Sequence, residues 1–120
     1  MKIVGLLLAA GSATRFGSDK LLHLLPHGVP VAVQAARHLG KEIAPVIAVV
    51  SPRASELAAL LQAEGCQVSV CPNAEEGMGA SLACAVRAAG AADGYLVALA
   101  DMPFVRPSSI AAVRDALAAG

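Results

Sequence analysis

Two cations and one carboxylate carry most of the chemistry this sequence offers: Arg15, Lys20 and Asp101. The cations follow Leu8-Ala9-Ala10-Gly11-Ser12-Ala13-Thr14, a run of small residues behind an apolar strand. Small side chains let backbone N–H groups approach anionic oxygens, and a guanidinium and an ammonium five residues apart add positive charge. That combination suits a polyphosphate. Asp101 closes a second apolar run, Tyr95 to Ala100, and offers a hard oxygen ligand of the kind Mg²⁺ takes. Plainer readings exist for each: solvated loop charges for Arg15 and Lys20, and a turn cap ahead of Pro103 for Asp101.

Two common phosphate motifs do not fit. A dinucleotide fingerprint starting at Gly11 needs glycine where Ala13 and Phe16 stand, and a Walker A loop needs Gly-Lys-Ser/Thr where the chain has Phe16-Gly17-Ser18. What remains is Ala-Ala-Gly-x-x-x-Arg-x-Gly-x-x-Lys over Ala9 to Lys20. His23, His27 and His38 lack metal-ligand spacing, and Glu75-Glu76 reads as a solvated pair. Ser81 reads equally well as a pocket residue or as an early-helix hydroxyl that satisfies a free N–H.

The elements that must position these residues alternate. Ile3 to Ala10 is a continuous apolar run, as expected of a parallel strand buried on both faces, and a polar loop follows through Lys20. Val31 to Leu39 reads as a helix stopped by Gly40, Ala44 to Val50 as a strand, and Ser55 to Glu64 as a helix before Gly65. Cys66 to Cys71 is a short strand, and Pro72 to Gly79 is rich in turn residues. Ala80 to Ala89 is a helix of small residues, and Tyr95 to Ala100 is the fourth strand. Ser108 or Ser109 can cap a last helix running to about Ala119. Four strand–helix alternations argue for an α/β fold with a mostly parallel sheet. Right-handed crossovers and doubly wound topology predict strand order 3-2-1-4. Gly11 to Lys20 and Asp101 then meet in the crevice between the first and fourth strands.

Composition limits the alternatives. Nine basic and nine acidic residues give zero net charge, which does not support a nucleic-acid-binding face. Hydrophobic residues reach 57 % and aromatics only 2 %, so a single domain with an Ala, Leu and Val core is expected. The apolar runs are too short to cross a bilayer, and no leader pattern follows Met1-Lys2, so no membrane partner and a cytoplasmic location are expected. The three cysteines include no C-x-x-C pair and read as small core hydrophobes.

Leu8-Ala9-Ala10-Gly11-Ser12-Ala13-Thr14-Arg15-Phe16-Gly17-Ser18-Asp19-Lys20-Leu21-Leu22 resembles the signature of the MobA-like nucleotidyltransferases, most of all their molybdenum cofactor cytidylyltransferase branch. Two later segments agree in order: Asn73-Ala74-Glu75-Glu76-Gly77-Met78-Gly79-Ala80-Ser81-Leu82, and Leu99-Ala100-Asp101-Met102-Pro103. The resemblance implies a three-layer, Rossmann-like nucleotidyltransferase fold, with residues 1–120 as its N-terminal nucleotide-binding part. Family members are longer, so the elements that complete an acceptor pocket are expected to be missing. It also implies roles. Leu8, Ala9, Ala10 and Gly11 would contact the nucleotide through their backbone, and Asn73, Gly77 and Ser81 would line its pocket. Arg15 and Lys20 would hold the triphosphate, and Asp101 would ligate Mg²⁺. The implied reaction is transfer of CMP from CTP to molybdopterin with release of pyrophosphate, with a molybdoenzyme or chaperone as protein partner. Guanylyl transfer, sugar-phosphate nucleotidyl transfer and a non-catalytic nucleotide-binding module are the alternatives. Ala13, and Ala100 before Asp101, stand where many relatives carry a smaller or more polar residue.

Overall fold

The computed structural model of the chain describes residues 2–10 and 17–119. Strands β1 (Ile3–Leu8), β2 (Val46–Val50), β3 (Gln67–Val70) and β4 (Gly94–Leu99) form a parallel sheet in the order β3-β2-β1-β4. This is the order 3-2-1-4 expected from the alternation. Leu6 pairs with Ile47 on one side and Val97 on the other, so β1 is central. The apolar runs of β1 and β2 are buried almost throughout, whereas β3, at the sheet edge, is only half-buried.

Helices lie on both faces. α1 (Gly17–Leu22), α2 (Val31–Glu42), α3 (Ser55–Ala63) and α5 (Pro107–Ala119) occupy one face, and α4 (Met78–Ala89) the other. Alternate residues along each strand feed the two cores. Leu7, Ala9, Ala48 and Val50 pack with Leu39, Leu57, Leu61 and Ile110, while Leu6, Leu8, Ala10, Ile47 and Val49 pack with Cys84 and Ala85. The period of two along a strand produces this division. The small residues of α4 let it lie close to the sheet.

Gly5 sets the spacing between β1 and α2. A Cβ added there would lie 3.3 Å from Leu39 Cδ2 and 3.3 Å from Val46 Cγ2. A branched side chain at this point must push α2 off the sheet, so Gly5→Val is expected to lower stability by ~1–3 kcal/mol, read as a lower urea midpoint at unchanged slope.

Several element ends differ from the sequence expectation, each for a local reason. α2 continues through Gly40 to Glu42, because Leu39 and Ile43 are both buried and the Ile43 N–H donates to the Leu39 carbonyl at 3.0 Å. α4 begins at Met78, directly after Gly77, which takes the left-handed-region φ of 120°. α5 begins at Pro107, whose fixed φ and missing N–H suit the first helical position, so Ser108 and Ser109 lie inside the first turn and do not cap it. Lys20 stands on a short helix, α1, anchored by buried Leu21; the sequence placed it on a loop.

The cysteines divide. Cys66 is buried as a small core residue, and burial, with Glu64 nearby, pushes its thiol from 9.0 up to about 11. The folded thiol therefore holds its proton more tightly than the unfolded one. Its contribution to stability is complete below pH 9 and is lost as pH rises through 11. At pH 8 it is roughly 100-fold less ionised than an unfolded thiol, so iodoacetamide is expected to label Cys66 far more slowly in native than in denatured protein. Cys71 and Cys84 are also buried, but they are bonded to each other and are not the free core thiols that the sequence predicts. Among the described residues, no helix is long and apolar enough to cross a membrane.

Candidate functional site

Parallel pairing brings the carboxyl ends of the strands to one side of the sheet, and backbone hydrogen bonds tie those ends together. The Ala9 N–H donates to the Val49 carbonyl at 2.8 Å, the Cys71 N–H to the Val50 carbonyl at 2.9 Å, and the Ala100 N–H to the Leu8 carbonyl at 3.0 Å. The connections through α2 and α3 run over one face and that through α4 over the other. The reversal therefore falls between β1 and β4, where open α/β sheets bind ligands.

Leu8, Ala9 and Ala10 form the end of β1 and the residues just beyond it, all buried. The Leu8 side chain is packed in the core, and Ala9 and Ala10 carry only a methyl each. Asp101 lies two residues past β4, exposed, and the bond from Ala100 to Leu8 fixes it beside β1. Among the described residues Asp101 has no ion-pair partner.

Ser81, in the first turn of α4, is 1 % exposed, and its hydroxyl donates to the Ala10 carbonyl at 3.4 Å. The hydroxyl therefore positions the β1 segment against α4, while its lone pairs remain able to accept. Asn73 is half-buried and precedes a 3₁₀ turn over Ala74–Glu76. Its Oδ1 lies 3.2 Å from Cys71 Sγ and 3.8 Å from Cys84 Sγ. Gly77 follows that turn, and its carbonyl accepts from the Ser81 N–H at 3.3 Å. Its positive φ is a conformation that a Cβ would strain. The N-terminus of α4 thus lies at the end of β1, and the first turn of a helix is favourable to an anion.

Hydrogen bonds therefore tie Ser81 to Ala10 and the residue preceding Asp101 to Leu8, both at the end of β1, and the β3–α4 connection adds Asn73 and Gly77. Lys20 is not joined to this group. It is exposed on α1, with no hydrogen bond or ion pair to another candidate residue among the described ones. Gly11 and Arg15 lie outside the described residues.

A single carboxylate also limits how a cation is held. Among the described residues no group of three His, Cys, Asp or Glu side chains converges. Asp101 fits as one protein ligand of a hard cation that takes its other oxygens from phosphate and water, the habit of Mg²⁺ at phosphate sites.

Two positioning features have no signal in the sequence. His38 Nδ1 lies 2.9 Å from the Val105 carbonyl, and its Nε2 lies 2.6 Å from Gln34 Nε2, so His38 donates through Nδ1 and accepts through Nε2. This ties α2 to the connection that follows Asp101, although neither residue's spacing in sequence announces it. The second feature is the Cys71–Cys84 bond beneath Asn73. Elsewhere, an apolar groove of about 500 Å³ between β4 and α5 is lined by Val97, Val105, Ile110 and Val113 and contains none of the candidate residues.

Residues 5–120 match the MobA-like NTP transferase domain. The chain is similar in structure to a nucleotidyl transferase from Methanothermobacter thermautotrophicus, with a TM-score of 0.82 and 26 % identity over 95 % of this chain and 57 % of that one. It is also similar to Rv0371c from Mycobacterium tuberculosis H37Rv, with a TM-score of 0.77 and 28 % identity over 98 % of this chain and 62 % of that one. A complex of the mycobacterial protein with manganese gives a TM-score of 0.76 and 26 % identity over 98 % of this chain and 61 % of that one. The chain thus spans about three-fifths of the length of these solved structures. No curated protein matches it.

Proposed function

The chain belongs to the MobA-like NTP transferase domain family, and from that membership we propose that it forms the nucleotide-binding part of an enzyme transferring CMP from CTP to the phosphate of molybdopterin. The observation that supports this most is the hydrogen bond from Ala100 N–H to the Leu8 carbonyl, which sets Asp101 beside the segment leading into Gly11 to Lys20. The backbone at the end of β1 and the Asp101 carboxylate then lie at one crevice, where Arg15 and Lys20 would add the charge that a triphosphate needs.

In this reading an oxygen of the acceptor phosphate attacks the α-phosphorus of CTP. A new P–O bond forms as the bond from the α-phosphorus to the bridging oxygen breaks, and pyrophosphate leaves with that electron pair. The nucleophile belongs to the acceptor, so no serine or cysteine nucleophile is needed, and the protein's work is positioning and charge neutralisation. Leu8, Ala9, Ala10 and Gly11 hold the nucleotide through backbone groups, and Ser81 keeps Ala10 in place. Asn73 and Gly77 line the pocket. Arg15 and Lys20 balance charge that builds on the leaving pyrophosphate. Asp101 would hold the divalent cation, which we take to be Mg²⁺ and which would supply neutralisation of phosphate oxygens. The manganese complex of the similar mycobacterial protein supports a divalent cation. The Ala9-Ala10-Gly11 and Glu76-Gly77-Met78 segments favour the cytidylyl reading by family resemblance.

The test is pyrophosphate release by the intact protein with each nucleoside triphosphate, Mg²⁺ and molybdopterin. Release with CTP alone is expected. Release with GTP instead moves the assignment to guanylyl transfer, and release only with a sugar phosphate moves it to sugar activation. Nucleotide binding without any release identifies a non-catalytic module.

A further inference from the structure

Cys71, just past β3, and Cys84, seven residues into α4, have Cα atoms 5.8 Å apart and are bonded through their sulfurs. That separation lies within the range a disulfide spans without moving the backbone. The bridge closes the segment Pro72 to Ala83, which holds Asn73, Gly77 and Ser81, three of the pocket residues proposed above. Its oxidation state also changes what Asn73 faces. In the dithiol, both sulfurs carry hydrogens that can be donated to Asn73 Oδ1, 3.2 Å and 3.8 Å away; in the disulfide neither does. The Arg87 guanidinium lies 3.5 Å from Cys84 Sγ.

We propose that Cys71 and Cys84 form a redox-modification site that clasps the Pro72 to Ala83 segment, with the disulfide as the form that binds nucleotide more tightly. Two effects act in the same direction. The bond holds the segment in the arrangement in which Ser81 donates to Ala10, and it frees the Asn73 amide oxygen from competition by thiol donors. The oxidant class is a peroxide. The Cys84 thiolate attacks a peroxide oxygen, the O–O bond breaks, hydroxide leaves, and Cys84 becomes a sulfenic acid. The Cys71 thiol then gives up its proton and attacks the Cys84 sulfur. An S–S bond forms, the S–O bond breaks, and water leaves. Two electrons pass from the two thiols to one peroxide, which yields two waters. A dithiol reductant reverses the outcome by exchange.

The nucleotide arm of this proposal rests on the pocket reading of Asn73 and Ser81, so the experiment separates the two. The intact protein is treated with hydrogen peroxide or with dithiothreitol, and its free thiols are then alkylated under denaturing conditions. One alkylated thiol, Cys66, is expected after peroxide and three after dithiothreitol. Three after both treatments, or a cross-link to Cys66, overturns the site. Hydrogen exchange then compares the two forms. Greater protection over Asn73 to Ser81 in the oxidised form is expected, and equal protection overturns the clasp even if no nucleotide binds. The Kd for CTP with Mg²⁺ is expected to weaken about 10-fold on reduction, and Cys84→Ala is expected to lose this response. An unchanged Kd overturns the link to nucleotide. Increased protection without CTP binding in either form upholds the clasp and counts against the nucleotide reading.

Discussion

Lys20→Ala is expected to lower kcat/KM for nucleotidyl transfer by about 10²–10³-fold, the scale on which removal of one charge-stabilising group acts. Stability should change by less than about 0.5 kcal/mol, because Lys20 is exposed on α1 and makes no ion pair among the described residues. The anchor of that short helix is Leu21, which the substitution leaves alone. Steady-state kinetics paired with urea unfolding separate the two effects. The charge would act where pyrophosphate leaves, so the loss should fall mainly on kcat. Full turnover by Lys20→Ala would remove the lysine from the phosphate site.

Asp101→Asn carries the second large effect. Asparagine keeps the shape of the side chain but removes its charge, and a neutral amide is a poor ligand for a hard cation. Turnover at fixed Mg²⁺ is expected to fall about 100-fold, and the Mg²⁺ concentration for half-maximal rate to rise at least about 10-fold. The fold should survive, because Asp101 is exposed and the hydrogen bond holding this corner belongs to the backbone of Ala100. A Mg²⁺ titration curve identical to that of the wild type would take Asp101 out of the metal site and leave it as a turn residue.

The parts of this architecture legible in the sequence are those that depend on local pattern. The apolar runs at Ile3 and at Val46 read as buried parallel strands, and their alternation with helices implied the order that the sheet adopts. Asp101 could be placed beside the first strand from topology alone, because a crossover reversal brings those two carboxyl ends together. Positions set by tertiary packing were not legible. Gly40 is a helix stop by its local preference, yet burial of Leu39 and Ile43 carries α2 past it. Lys20 reads as a loop residue until Leu21 docks in the core and draws its neighbours into a helical turn. Cys71 and Cys84 come together only when α4 lies on the sheet, packing Cys84 and Ala85 with Ile47 and Val49, a contact that no spacing in the chain encodes. For the same reason the tie from His38 to Val105 was invisible, since it joins residues far apart in sequence.

A crystal structure of the protein with CTP and Mg²⁺ tests the β1–β4 crevice as the nucleotide site. The triphosphate is expected over the carboxyl end of β1, against the backbone of Leu8 to Gly11 and the first turn of α4, with the cation on Asp101. Nucleotide bound away from the β1–β4 crevice, such as in the apolar groove beside α5, or a phosphate-bound cation with no contact to Asp101, would contradict it.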